Sequence, residues 1–304
     1  MIDYTIETLH LAHNEVATLI SLPAEQPRGA VLYVHGFVDY FFHDHVAQHF
    51  VAHGWSWHAL DLRRNGRSLR DGDERFYSGD LQEYYEEIDA AIARIKSDGY
   101  ERIVLMGHST GGLVSVIWAN DRRESHPIDA LILNSPWLDL QEPWIMRTLG
   151  TWILRGIGAV KPLANLPQSL ESVNTQSVHK DARGEWDFDT AWKPLTATPV
   201  KVGFIATVRR EQARLHRGMD VGVPVLLLRS ARSQLKMKAW DESARSADTV
   251  LNVKHMHQWL PKVGRDTTEI VLDSALHDVM LSAEPVRNRA MAEVDAWLDE
   301  RFPR

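Results

Sequence analysis

Apolar residues recur along this chain in two rhythms. Short runs, continuous or alternating, occupy residues 4–11, 15–22, 30–34, 55–62, 102–106, 130–134, 224–229 and 269–272. Runs of this length, rich in Val, Ile, Leu, Tyr and Trp, predict strands. The first two are linked through His13-Asn14, which suits a tight turn, and read as a hairpin. Helical spacing dominates elsewhere. In 81–96, Leu81, Tyr84, Tyr85, Ile88, Ala91, Ile92 and Ile95 fall on one face. Further helices are expected over 44–53, over 113–120, and over 286–301, where Met291, Val294, Trp297 and Leu298 share a face.

Strand and helix therefore alternate, and the run Ala30-Val-Leu-Tyr-Val34 is apolar throughout, as a strand covered on both faces must be. The pattern predicts an α/β fold with a mainly parallel, doubly wound sheet. Such a sheet carries chemistry at the C-terminal ends of its strands. Alternation breaks after Ser135-Pro136 and resumes at Pro224. Residues 1–134 and 223–304 are thus expected to form the core, and 135–222 an inserted helical lid above that edge.

Between the predicted strand 102–106 and helix 113–120 lies Gly107-His108-Ser109-Thr110-Gly111-Gly112. Gly-x-Ser-x-Gly in a strand–turn–helix setting reads as a nucleophile elbow, with the serine hydroxyl exposed above the sheet. Glycines fit there because side chains would meet the neighbouring strand and helix. The N-terminal amides of the new helix point toward the serine and favour developing negative charge. The expected chemistry is acyl transfer through a covalent acyl-serine, which requires no cofactor.

Composition narrows the picture further. The chain has 304 residues, 44% of them hydrophobic, a net charge of −7 and no cysteine. Disulfides, thiol chemistry and thiolate metal sites are excluded. There is no long basic block, so nucleic acid is not an expected partner. The first residues lack the basic and apolar regions of a secretory signal, and apolar runs such as 223–228 are too short to span a bilayer, so a cytoplasmic location is expected. His43, His45, His49 and His53 crowd the first crossover helix, the last three spaced by four. No neighbouring carboxylate completes a zinc motif there, so no metal is expected.

The elbow, together with His35-Gly36-Phe37 after the third strand, Leu60-Asp-Leu-Arg63 and Gly66-Arg67-Ser68, resembles the α/β-hydrolase fold. Within it, the chain is most similar to the monoglyceride lipase, lysophospholipase and serine aminopeptidase branch. Two motifs depart from that branch. His35-Gly36-Phe37-Val38-Asp39-Tyr40 stands where His-Gly-x-Gly-Glu-His is usual, and Arg63-Arg64-Asn65-Gly66 where Arg-Gly-His-Gly is common. The resemblance implies the order serine, acid, histidine. It implies Ser109 as nucleophile and His277, in the loop after the last strand, as base. It also implies Asp248 as the acid, because Ala247-Asp-Thr-Val-Leu251 best matches the family's Gly-x-x-Asp-x-Val-Val. Asp241 and Asp139 remain alternatives for the acid. The oxyanion hole is expected from the Phe37 and Thr110 amides, with His35 bracing the loop.

Segment 143–170 has no acidic residue but carries Arg147, Arg155 and Lys161. Ile145, Leu149, Trp152, Ile153 and Val160 share a helical face, which suits a lid helix and leaves transient contact with an anionic membrane surface open. Trp137 and Trp152, with Trp144, Trp186 and Trp192, bias the insertion toward aromatic surface and a hydrophobic small-molecule ester. Competing readings are an amidase or peptidase, a thioesterase or a perhydrolase on the same triad, and a non-catalytic ligand-binding homologue.

Overall fold

A computed structural model describes residues 2–125, 127–140, 160–170 and 173–303. Its strands are β1 Thr5–His10, β2 Val16–Leu22, β3 Gly29–Val34, β4 Trp55–Asp61, β5 Ile103–His108, β6 Ala130–Asn134, β7 Asn165–Leu170, β8 Thr198–Lys201, β9 Val225–Ser230 and β10 Thr267–Leu272. The α-helices used below are α1 Asp44–Ala52, α2 Tyr85–Ser97, α3 Thr110–Arg122, α4 Val173–Val178, α5 Val202–His216, α6 Val253–Trp259 and α7 Glu284–Arg301.

Eight strands form one sheet in the order β1-β2-β4-β3-β5-β6-β9-β10. The β1–β2 and β2–β4 pairs are antiparallel, and every later pair is parallel. This is the α/β-hydrolase sheet that the resemblance implies. The central strands are buried on both faces, which explains their unbroken apolar sequence. Ala30, Leu32 and Val34 of β3 join Ile103 and Leu105 of β5 in one core layer, beneath Ile88 of α2 and Val116 of α3. The alternate residues Val31, Tyr33, Val104 and Met106 form the opposite layer with Val46 and Phe50 of α1 and Val294 and Leu298 of α7. Period-two alternation thus divides a uniformly apolar strand between two cores.

Register decides where the chemistry can lie. Val34 pairs with Gly107, and His108 with Asn134. The loops after β3, β5 and β6 therefore leave the sheet side by side. The predicted insertion is heterogeneous. β7 and β8 form a separate antiparallel pair. The helix α5, in contrast, buries Phe204, Val208 and Leu215 in the same layer as α3. Its place is that of a crossover helix between β6 and β9. Among the described residues, no helix is long and apolar enough to cross a membrane.

Gly111 shows how closely the elbow helix approaches β3. A methyl group there would lie 2.3 Å from the His35 carbonyl oxygen and 2.4 Å from that of Val34. Both obstacles are backbone, so no side chain can rotate away. Gly111→Ala is expected to lower the unfolding free energy by about 3 kcal/mol, measured by urea denaturation; an unchanged midpoint would show that the strand and helix yield freely.

Candidate active site

Ser109 closes β5 with φ 54° and ψ −116°, a conformation that L-residues seldom adopt. Hydrogen bonds hold it from both sides. Its N–H donates to the Asn134 carbonyl at 3.0 Å, and its own carbonyl accepts from Leu113 N at 3.2 Å and Trp137 N at 2.9 Å. The hydroxyl Oγ lies 3.0 Å from His277 Nε2, and His277 Nδ1 lies 2.9 Å from Asp248 Oδ2. A carboxylate only accepts, so Nδ1 carries the proton and Nε2 is left to accept from the serine. Asp248 is fully buried, and its second oxygen accepts from Val250 N at 2.8 Å and Leu251 N at 2.7 Å. That turn orients the carboxylate before the histidine uses it.

The two alternative acids lie elsewhere. Asp241 caps a short 3-10 turn by accepting from Ser243 N at 2.8 Å. Asp139 is buried against Arg209 Nη1 at 3.0 Å and accepts from Trp259 Nε1 at 3.1 Å.

The loop after β3 runs directly beside the serine. A methyl group on Gly36 would sit 3.1 Å from Ser109 Cβ, a tight contact that would push on the serine by a few tenths of an ångström. His35 braces the loop: its Nδ1 donates to the Gly36 carbonyl at 2.7 Å, and its Nε2 accepts from Leu62 N at 3.0 Å. Burial pushes its pKa below the usual histidine value, which suits that neutral role. Phe37 follows, stacked on Phe204 of α5 at 4.3 Å. Next, Val38 has φ 53°, a position costing a branched residue about 1–2 kcal/mol, where the related branch usually has glycine. Thr110 is the first residue of α3, so its amide is among those without an intrahelical acceptor. Trp137 is tied to the elbow through its backbone and is partly buried against the core. Trp152 and most of the predicted lid helix lie outside the described residues.

Sequence reasoning missed a buried charged network behind the serine. Asp39 pairs with Lys193 Nζ at 2.7 Å, and both side chains are buried. Asp278, next to the histidine, accepts from Asn134 Nδ2 at 2.7 Å and contacts His43 Nε2 at 2.9 Å. His108 Nδ1 faces both carboxylates, at 3.6 Å from Asp39 and 3.8 Å from Asp278. Burial alone would raise both carboxyl pKa values. Lys193 and then His108 overcome this at Asp39, and His108 and then His43 at Asp278, so both carboxyls titrate well below the ordinary range. Asn134 is the common tether, since its side-chain oxygen also accepts from Val279 N at 3.1 Å. The one sequence clue was the acid at position 39 in an otherwise apolar loop.

The histidines along α1 divide between different partners, with His49 and His53 sharing one. His45 Nε2 donates to the Met280 carbonyl at 2.8 Å, and the ring stacks on Trp186 at 4.1 Å. Trp186 and Trp192 serve packing: the first also lies against Arg287, the second against Tyr40 and Arg67. A carboxylate distant in sequence reaches this helix. Asp295 of α7 lies 2.9 Å from His49 Nε2.

The model of one protein family, described as serine aminopeptidase, S33, matches residues 25–283. A curated relative, phospholipase YtpA of Bacillus subtilis (strain 168), is 31% identical over 123 residues, which covers 39% of this chain and 44% of the relative. The chain thus matches less than half the length of that relative. Among solved structures, a soluble variant of monoglyceride lipase from Saccharomyces cerevisiae superposes with a TM-score of 0.73 at 15% identity, covering 100% of this chain and 96% of that one. A carboxyl esterase from Bacillus coagulans gives 0.70 at 14% identity, covering 99% and 100%. The Paleococcus ferrophilus monoacylglycerol lipase gives 0.69 at 18%, covering 93% and 98%. At these identities the likeness is one of fold.

The Asp39–Lys193 pair generates a stability prediction. Lys193→Met strands a buried carboxylate and is expected to cost about 3–5 kcal/mol at pH 7, while Asp39→Asn/Lys193→Met recovers much of the loss. Because the folded pKa of Asp39 is depressed, its contribution is complete above about pH 4 and is lost as pH falls below that through the folded value. The double variant should therefore lose less stability than wild type between neutral pH and acid in urea titrations. Equal acid sensitivity would contradict the ionised pair.

Proposed function

This chain belongs to the serine aminopeptidase S33 family of α/β hydrolases, and from that premise we propose that it cleaves carboxylic esters of hydrophobic, lipid-like acyl groups through an acyl-serine intermediate. The observation that carries the reading is the continuous relay from Ser109 Oγ through His277 to Asp248, with spacings of 3.0 and 2.9 Å.

In the proposed cycle, His277 Nε2 takes the Ser109 proton as Oγ attacks the carbonyl carbon. The Phe37 and Thr110 amides hold the oxyanion; one such donor contributes on the order of 3 kcal/mol. Collapse of the tetrahedral intermediate breaks the ester C–O bond, and His277 protonates the departing alkoxide. Water then gives its proton to the same nitrogen and adds to the acyl carbon. The second intermediate expels Ser109 Oγ, which regains its proton, and the carboxylic acid leaves. Asp248 stays ionised and stabilises the imidazolium. No cofactor takes part.

The hydrophobic preference is supported by the stacked Phe37–Phe204 pair beside the serine, by Trp137 bound to the elbow, and by the lipid esterases and the phospholipase among the relatives. The cap is best drawn over residues 135–201, since α5 packs with the core. Lys193 would then join cap to oxyanion loop through Asp39.

A series of p-nitrophenyl esters from acetyl to long acyl tests the proposal. Turnover should rise beyond acetyl and fall by at least about 10⁴-fold in Ser109→Ala and His277→Ala. Asp248→Asn should lose about 10⁴-fold in kcat, whereas Asp241→Asn keeps the wild-type rate. A preference for acetyl would contradict the hydrophobic assignment, and full activity in Asp248→Asn would contradict the relay.

A further inference from the structure

We propose that His49, His53 and Asp295 form a divalent transition-metal site, of the kind that zinc occupies, joining α1 to α7. The two histidines stand four residues apart, His49 in the last turn of α1 and His53 at its C-cap, and the carboxylate comes from a residue 246 positions beyond His49. Asp295 Oδ2 lies 2.9 Å from His49 Nε2 and 3.5 Å from His53 Nε2. The three candidate ligand atoms all fall within 4.8 Å of one another. A tetrahedral zinc ion with ligands at about 2.0–2.1 Å holds its donor atoms about 3.3 Å apart. The observed spacings straddle that value, so an ion fits with small side-chain adjustments.

The ring orientations favour ligation as well. His53 Nδ1 donates to the His49 carbonyl at 2.8 Å, which places Nε2 on the side of the ring turned toward Asp295. A backbone acceptor fixing the far nitrogen is a common support for metal-binding histidines. The rings of His49 and His53 lie 4.2 Å apart, close enough for both to reach one ion. Exposures of 20, 38 and 19% keep the site open to solvent, and water can complete the coordination. Two nitrogens and one carboxylate oxygen suit zinc, nickel or copper and disfavour calcium or magnesium.

The site has no part in the acyl-transfer steps. It clasps the helix that follows the oxyanion loop to the helix that follows the histidine loop. An ion bound by the folded chain alone stabilises it by mass action.

The test uses zinc ion with the full chain after treatment with a chelator. Calorimetric titration should give one equivalent of zinc, and the melting temperature should rise with zinc concentration. His53→Ala and Asp295→Asn should each weaken binding at least about tenfold and remove the thermal shift, while melting normally in chelator. His257→Ala, which alters an exposed histidine–carboxylate pair elsewhere, should keep wild-type affinity. Absence of zinc binding, or binding that survives both His53→Ala and Asp295→Asn, would overturn the proposal.

Discussion

The backbone conformation of Ser109 is the constraint on which the rest of the site depends. A serine at φ 54° is held there because its amide reaches across to β6 and its carbonyl is gripped by α3 and by Trp137. That conformation lifts the hydroxyl off the end of β5 and starts α3 immediately behind it. The close approach in turn demands glycine at 111, where any side chain would meet backbone, and leaves little room at 36 beside the serine. Strain at one residue is thus over-determined by its surroundings, which is the condition under which strained functional residues persist.

The same economy extends to His277. Asn134 sits at the C-terminal end of β6 and serves both halves of the relay. Its carbonyl accepts from Ser109 N, and its side chain secures the loop that carries His277. Asp278 and Asp39 carry buried charge on either side of His108, each held by cationic or hydrogen-bonding neighbours. These groups touch no reacting atom. They tie three loops around the serine and histidine to one another through buried ion pairs and hydrogen bonds.

Much of this was legible in the sequence because it is local. The apolar run at 30–34 became β3, and the spacing from Leu81 to Ile95 became a 3-10 turn followed by α2. The elbow announced itself by its strand–turn–helix context, and the family resemblance put Asp248, in Asp-x-Val-Leu, ahead of Asp241 and Asp139 as the expected acid. What stayed hidden depends on which distant surfaces meet. Asp39 and Lys193 are 154 positions apart, and neither residue alone signals a buried pair. The histidine-rich face of α1 lacked a carboxylate in sequence because Asp295 arrives from the far end of the chain. The segment assigned wholly to a lid contains α5, whose apolar face looks the same whether it covers a cap or the core. Trp186 and Trp192, read as aromatic lining, turn toward His45, Arg287, Tyr40 and Arg67.

The most direct measurement is stoichiometric labelling with a fluorophosphonate, followed by peptide mapping and a parallel assay of residual ester turnover. The account predicts a single adduct, on Ser109, with turnover lost in proportion to labelling. An adduct on another residue, or turnover that persists once Ser109 is fully modified, would contradict the assignment of Ser109 as nucleophile.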